Sequence, residues 1–129
     1  MGAVPVVGRL PHRLGIILPS WDRHGQRLPA KTRRAIREVV AGWFSRAFPG
    51  STEDRMQMRP RLRGRWGAGS GVTVEEVEEV WTYCTAADFR KQRPDLVHLA
   101  EWVATEGDQE AVAVLVDGGM ELVVGKETS

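Results

Sequence analysis

The stretch AKTRRAIREVVAGWFSRAF, residues 30–48, decides the fold of this chain. Its apolar residues recur at the spacing of one helical face. They are Ile36, Val39, Val40, Trp43, Phe44, Ala47 and Phe48. Each large side chain that such a stripe buries contributes roughly 1.5–3 kcal/mol. Pro29 marks the start of the segment and Pro49 and Gly50 its end, so the sequence predicts a core helix between them.

The segments around this helix are predicted as strands. Before it, residues 14–18 (LGIIL) form a short apolar run rich in branched side chains, which is typical of a buried strand. After it, residues 56–66 are predicted to be extended, with Pro60 near an edge or a bulge. The glycine-rich residues 67–71 precede the β-type run 72–84. They are therefore predicted to form a hairpin loop rather than a nucleotide-binding motif, which would open a helix.

The second half of the chain repeats the alternation of helix and strand. A second helix is predicted to start near Pro94, or as early as Asp88 with a kink at the proline, and to end near residue 106. A compact strand at 111–116 and a possible hairpin partner at 120–124 follow. The order indicates an α+β, ferredoxin-like βαββαβ two-layer sandwich. Its antiparallel sheet would carry two helices on one face and a possible extra C-terminal β-hairpin.

The length of 129 residues favours one domain, which we assign to residues 14–124. Residues 1–13 are predicted to be an N-terminal extension and residues 125–129 a flexible tail. The single cysteine, Cys84, cannot form an internal disulfide, and no apolar run reaches the roughly 20 residues that span a bilayer. We therefore expect a soluble cytoplasmic protein without a membrane partner.

Charge is distributed unevenly along the chain, although the net charge is only +1. Residues 1–71 contain 14 lysines and arginines against 4 acidic residues, and residues 72–129 contain 4 against 13. This asymmetry indicates a half that binds polyanions, a head-to-tail partner, or two halves that neutralise each other within one fold. The third interpretation is favoured because it requires no ligand.

Arginines occupy alternate positions in the predicted strand 56–66. They are Arg59, Arg61, Arg63 and Arg65, and Trp66 follows the last of them. On a strand, four such guanidinium groups share one face and could bind phosphates or carboxylates, with Trp66 or Trp81 as a stacking surface. Alternatively, acidic residues of the next strand neutralise the row. Those acidic residues are Glu75, Glu76, Glu78 and Glu79.

A polar loop follows the first predicted strand and contains Trp21, Asp22 and His24. Loops held by rigid elements often carry functional sites. The simpler explanation is ordinary turn chemistry around Asp22 and Gly25. Trp102 lies off the apolar stripe of the second helix and is predicted either to cover the helix edge or to face a partner.

No set of residues in this sequence has the spacing of a catalytic motif or of metal ligands, and we predict no catalytic residue, metal or cofactor. The leading hypothesis is a non-catalytic binding or assembly module that acts through a protein partner or self-association, with a homodimer as the expected form. One alternative is a small enzyme or ligand-binding protein of the dimeric α/β-barrel type, with a pocket near loop 20–25 lined by Trp21, His24, Tyr83 and Cys84. A second alternative is a factor that binds nucleic acid through the arginine row 59–65.

Overall fold

The computed structural model describes residues 10–48, 56–68 and 71–125, with side chains for residues 10–48 and 78–125. The elements follow one another in the order βαββαββ. They are β1 (His12–Leu18), α1 (Ala30–Ala47), β2 (Met56–Ala68), β3 (Gly71–Cys84), α2 (Ala86–Glu106), β4 (Ala111–Val116) and β5 (Gly119–Val124). The predicted N-terminal extension up to residue 9 and the tail from residue 126 lie outside the described residues.

The strands form one antiparallel sheet in the order β2-β3-β1-β4-β5. The N-terminal strand β1 therefore lies in the centre, where Leu14 is opposite both Thr82 of β3 and Val116 of β4. The first four strands have the ferredoxin-like arrangement, and β5 completes the additional C-terminal hairpin. The predicted fold class is confirmed.

One face of the sheet and both helices share a single hydrophobic core. In β1 the alternate residues Leu14, Ile16 and Leu18 belong to this core, together with Phe44 of α1 and Leu96 of α2. Successive strand residues point to opposite faces. The residues of β1 that alternate with these core residues therefore lie on the face that the helices leave uncovered, which we call the open face. Their partners in β3 and β4 lie on the same face, and so do the β5 residues opposite those β4 partners.

The helix α1 buries the predicted stripe with one exception. Val39 is 41% exposed, whereas Ile36, Val40 and Phe44 are buried, so the prediction that Val39 belongs to the core stripe is wrong. Trp43 is partly buried and packs edge-on against Phe44, with ring centroids 5.0 Å apart. The stripe is thus narrower than the sequence pattern indicates.

The helix α2 begins eight residues before Pro94, which lies inside it. Its first turn is capped by Thr85, whose hydroxyl oxygen accepts a hydrogen bond from the backbone N–H of Asp88 at 3.1 Å. Such a cap satisfies one of the free N–H groups at a helix start. The earlier of the two predicted starts is therefore the closer one. Within the described residues, neither helix is long and apolar enough to cross a membrane.

Candidate functional site

Ion pairs join the basic and acidic halves of the chain. Arg13 pairs with Glu79, Arg37 pairs with Glu78, and Arg23 lies 2.8 Å from Asp108. In each pair the arginine comes from the first half and the carboxylate from the second. The two described glutamates of β3 therefore have arginine partners outside the predicted row at 59–65.

The backbone of β2 changes the geometry expected for the arginine row. Arg59 is opposite Glu79 and Arg61 is opposite Val77, but the register shifts between Arg61 and Gly64. A bulge of this kind interrupts the strict alternation that would place every second residue on one face. The side chains of Arg59, Arg61, Arg63, Arg65 and Trp66, and those of Glu75 and Glu76, lie outside the described residues. An anion site on this row stays a prediction.

The loop after β1 is organised by turn chemistry. The carboxylate of Asp22 accepts hydrogen bonds from the backbone N–H groups of His24 and Gln26 at 2.8 and 2.9 Å, and Gly25 adopts a positive φ of 78°. The His24 side chain is exposed, and its Nε2 lies 3.8 Å from Asp108. Asp22 therefore holds the turn, and no convergence of Asp22 and His24 on a reacting centre is present.

The same loop is attached to the connection between α2 and β4. The amide of Gln109 donates to the carbonyls of Trp21 and Gly107, and the backbone N–H of Arg23 donates to the Asp108 carbonyl at 2.8 Å. Trp21 is partly buried, and the Arg27 guanidinium lies 5.6 Å from its ring centroid. These bonds fix the position of loop 20–28 relative to the sheet.

The four residues predicted to line a pocket do not converge. Trp21 and His24 follow the C-terminal end of β1, whereas Tyr83 and Cys84 pair with its first residues, about 20 Å away at the strand rise of roughly 3.3 Å per residue. Tyr83 is exposed on the open face and Cys84 is buried in the core. The prediction that these four residues line one pocket is therefore wrong.

A small cleft does lie beside the loop. Its volume of about 10 Å³ has room for about one water molecule. It is lined by Leu18, Pro19, Ser20, Arg33, Ile36, Arg37 and Glu78. A cleft of this size does not accommodate a substrate the size of a nucleoside.

The most chemically varied group of described side chains lies on the open face and comprises Arg13, Glu79, Trp81 and Tyr83, which we call the open-face cluster. The Arg13 guanidinium pairs with Glu79 and lies 4.2 Å from the Trp81 ring centroid. Trp81 and Tyr83 meet edge-on with centroids 5.0 Å apart. Glu79 is only 12% exposed, whereas Tyr83 is 47% exposed.

The guanidinium of Arg13 is incompletely bonded. Its Nε is buried and has no hydrogen-bond partner among the described residues. A buried donor without an acceptor costs about 1–3 kcal/mol. The cluster therefore combines a carboxylate, a partly exposed cation, an aromatic pair and a hydroxyl.

Sequence reasoning missed this cluster as a unit. Glu79, Trp81 and Tyr83 alternate along β3, and that alternation is the signal that could have grouped them on one face. Arg13 is 66 positions from Glu79 and joins them only through the pairing of β1 with β3. Trp102 is partly buried and packs against the core. Within residues 10–48, 56–68 and 71–125, no group of three His, Cys, Asp or Glu residues could hold a metal ion.

No protein-family model and no curated protein matches the chain. Two solved structures are similar to it in fold. A phage SAM lyase in complex with S-methyl-5'-thioadenosine aligns with a TM-score of 0.58 at 9% identity, and a phage SAM lyase in its apo state aligns at 0.59 and 11%. Both alignments cover 99% of this chain and 100% of the other.

These identities are low, and the likeness therefore establishes the fold alone. It nevertheless overturns two expectations, because both matched structures are of an enzyme. They contradict the leading hypothesis of a non-catalytic binding or assembly module, and with it the preference for a protein without catalytic activity. Of the hypotheses drawn from the sequence, the small enzyme or ligand-binding protein is the one that agrees with these similarities.

Proposed function

We propose that this protein is a small enzyme that cleaves S-adenosylmethionine (SAM) or a closely related adenosyl sulfonium compound. The proposal is supported by the end-to-end likeness to the phage SAM lyase. The single observation that carries it on this chain is the open-face cluster, whose side chains have the chemistry that such a substrate requires.

Each part of the substrate has a counterpart in the cluster. A sulfonium cation is attracted by a carboxylate and by aromatic faces, which Glu79, Trp81 and Tyr83 supply. The exposed ring of Tyr83 can stack on the adenine. The guanidinium of Arg13, whose side chain is 34% exposed, can donate to the carboxylate of the substrate's amino-acid part, since guanidinium groups bind carboxylates well.

The proposed reaction breaks the bond between the sulfonium sulfur and Cγ of the amino-acid part. The electron pair stays on sulfur, which becomes the neutral thioether of S-methyl-5'-thioadenosine. Cγ then bonds to the substrate's own carboxylate oxygen, or Cβ loses a proton to a base so that a double bond forms. We propose that Glu79 holds the sulfonium group in the orientation for the displacement in the first route and accepts the proton in the second.

The test is the release of S-methyl-5'-thioadenosine from SAM by the purified protein, followed by liquid chromatography against a sample without protein. Glu79→Gln keeps the shape of the side chain but removes its charge, and we expect it to lower kcat/KM at least about tenfold. Glu121→Gln is the matched control, because Glu121 of β5 also pairs with an arginine, Arg93. The control is expected to stay within about twofold of the wild type.

Two results would overturn the proposal. One is release no faster than in the sample without protein. The other is an equal loss of activity in Glu79→Gln and Glu121→Gln. Calorimetric binding of S-methyl-5'-thioadenosine without any turnover of SAM would contradict the enzyme and support a ligand-binding protein instead.

We also propose that the enzyme is a homo-oligomer. The exposed apolar side chains Met120, Leu122 and Val124 of β5 lie on the open face, and a second copy that covers them would exclude water from that face. A cytoplasmic location stays a proposal that depends on the lone cysteine Cys84.

A further inference from the structure

Residues 23–37 are strongly basic. This segment runs from the middle of loop 20–28 into the first half of α1. It contains six lysines and arginines and no acidic residue. The six are Arg23, Arg27, Lys31, Arg33, Arg34 and Arg37. Nothing in the proposed enzyme activity uses this segment, because the open-face cluster lies on the opposite side of the sheet.

The acidic half of the chain neutralises only the two ends of this segment. Arg23 pairs with Asp108 and Arg37 with Glu78. The four cations between them form no ion pair with any described residue, and we call them the basic patch. They are Arg27, Lys31, Arg33 and Arg34, all exposed except the half-buried Arg33.

The secondary structure adds to the positive potential of the patch. Lys31 and Arg34 are three residues apart on α1 and therefore lie on the same side of the helix. The first turn of α1 contains no acidic residue, so the partial positive charge of the helix start is not offset.

The shape of the surface indicates what kind of anion fits. The cleft beside Arg33 has room for about one water molecule and therefore does not hold a small organic anion. Open basic surfaces instead suit an extended polyanion. Trp21 is partly exposed and lies beside Arg27, with 5.6 Å between the guanidinium and the ring centroid, which places an aromatic face next to the cations.

We propose that the basic patch binds the phosphate backbone of a single-stranded nucleic acid, with Trp21 as a stacking surface for a base. Cations that follow the backbone and aromatic rings that stack on bases are the two components of such sites. The net charge of +1 does not oppose this binding, because 13 of the 17 acidic residues lie in residues 72–129, outside the segment that carries the patch.

The experiment measures fluorescence anisotropy of a labelled single-stranded DNA of about 20 nucleotides as salt is varied. Four phosphate contacts predict a slope of about −2.8 in log affinity against log salt, at roughly 0.7 per contact. The double variant Lys31→Glu/Arg34→Glu should reduce the slope to about −1.4 and weaken binding at least about tenfold at low salt. Arg90→Glu/Lys91→Glu is the matched control, since both residues are exposed on α2 and the charge change is identical.

Binding that the control retains and the patch variant loses supports the proposal. Trp21→Ala should weaken binding to the DNA several-fold but leave binding to inorganic polyphosphate unchanged. Equal losses in the two double variants would overturn the site, and so would the absence of DNA binding at low salt. The patch variant should release S-methyl-5'-thioadenosine at the wild-type rate. The DNA-binding proposal and the enzyme proposal can therefore be contradicted independently of each other.

Discussion

Gly15, in the centre of β1, lets an aromatic ring approach the strand. A Cβ at this position would lie 2.7 Å from the Cβ of Trp81 and 2.8 Å from the Val80 carbonyl oxygen. The absence of a side chain therefore allows Trp81 to lie across the strand, where the Arg13 guanidinium reaches its ring. The contact between Arg13 and Trp81 in the open-face cluster therefore requires glycine at position 15.

The substitution Gly15→Ala should destabilise the protein. Real Cβ atoms do not approach backbone oxygens so closely, so β1 and β3 would have to shift, at a cost of about 1–3 kcal/mol. Urea denaturation measures this as a lower midpoint. Gly118→Ala is the control, because a Cβ there meets nothing within 4 Å. Equal midpoints for the two variants would contradict the prediction.

Local chemistry could be predicted from the sequence, whereas contacts between distant residues could not. The turn at Asp22 and Gly25 depends on dihedral preferences and on bonds within five residues, and it is present as expected. The pairing of Arg13 with Glu79 depends on the register of two strands 66 residues apart. The pattern of residues along the chain does not reveal how β1 and β3 are aligned. The candidate site therefore could not be predicted from the sequence.

At the scale of whole elements, the order of helices and strands was predictable because apolar periodicity is a local property. The start of α2 was less certain, since Pro94 suggests a boundary while Thr85 and Asp88 supply the actual cap. The position of the bulge between Arg61 and Gly64 could not be predicted, because it depends on the register between β2 and β3.

The hairpin between β4 and β5 is tied to the start of β1 by Asp117. Its carboxylate accepts a hydrogen bond from the backbone N–H of Arg13 at 3.0 Å, and His12 Nδ1 lies 3.2 Å away. The backbone N–H of Arg13 is the main cause that lowers the pKa of Asp117, and His12 contributes further. Asp117 also adopts a positive φ of 54°, which aspartate and asparagine tolerate.

This contact makes the stability of the hairpin depend on pH. Because the folded pKa of Asp117 is below the unfolded value of about 3.9, the ionised carboxylate stabilises the folded state above that value. The contribution is lost as the pH falls through the folded pKa. Asp117→Asn keeps an acceptor and the dihedral preference but not the titration, so its melting temperature should fall less steeply from about pH 6 to about pH 2.

The control for this pH dependence is Asp95→Asn, which removes an exposed carboxylate from α2. Its melting profile should follow that of the wild type. Parallel profiles for Asp117→Asn and Asp95→Asn would show that the contact with Arg13 and His12 does not contribute.

At the scale of the whole molecule, the two faces of the sheet have different roles. One face holds the shared core with both helices, and the other carries the open-face cluster beside the apolar side chains of β5. Leu122 is 57% exposed there. If a second copy covers this face, a charge at Leu122 should prevent association without affecting the fold.

We therefore expect light scattering after gel filtration to give a monomer for Leu122→Glu and an oligomer for the wild type. Its free energy of unfolding should differ from that of an isolated wild-type subunit by no more than about 0.5 kcal/mol, as for most surface substitutions. Val39→Glu is the control, because it adds the same charge at an exposed position of α1. Its molar mass in solution should equal that of the wild type. A wild type that is monomeric at every concentration would contradict the proposed oligomer.

The central place of β1 in the sheet has a consequence for synthesis on the ribosome. The strand β1, the first along the described part of the chain, pairs with β3 and with β4, and in the second pairing Leu14 is opposite Val116. A domain that relies on such distant pairings folds slowly, because long loops must close before the contacts form. The apolar β1 must therefore wait, unpaired on one edge, until the residues of β4 have emerged. A protein truncated before β4 would leave that edge exposed to aggregation.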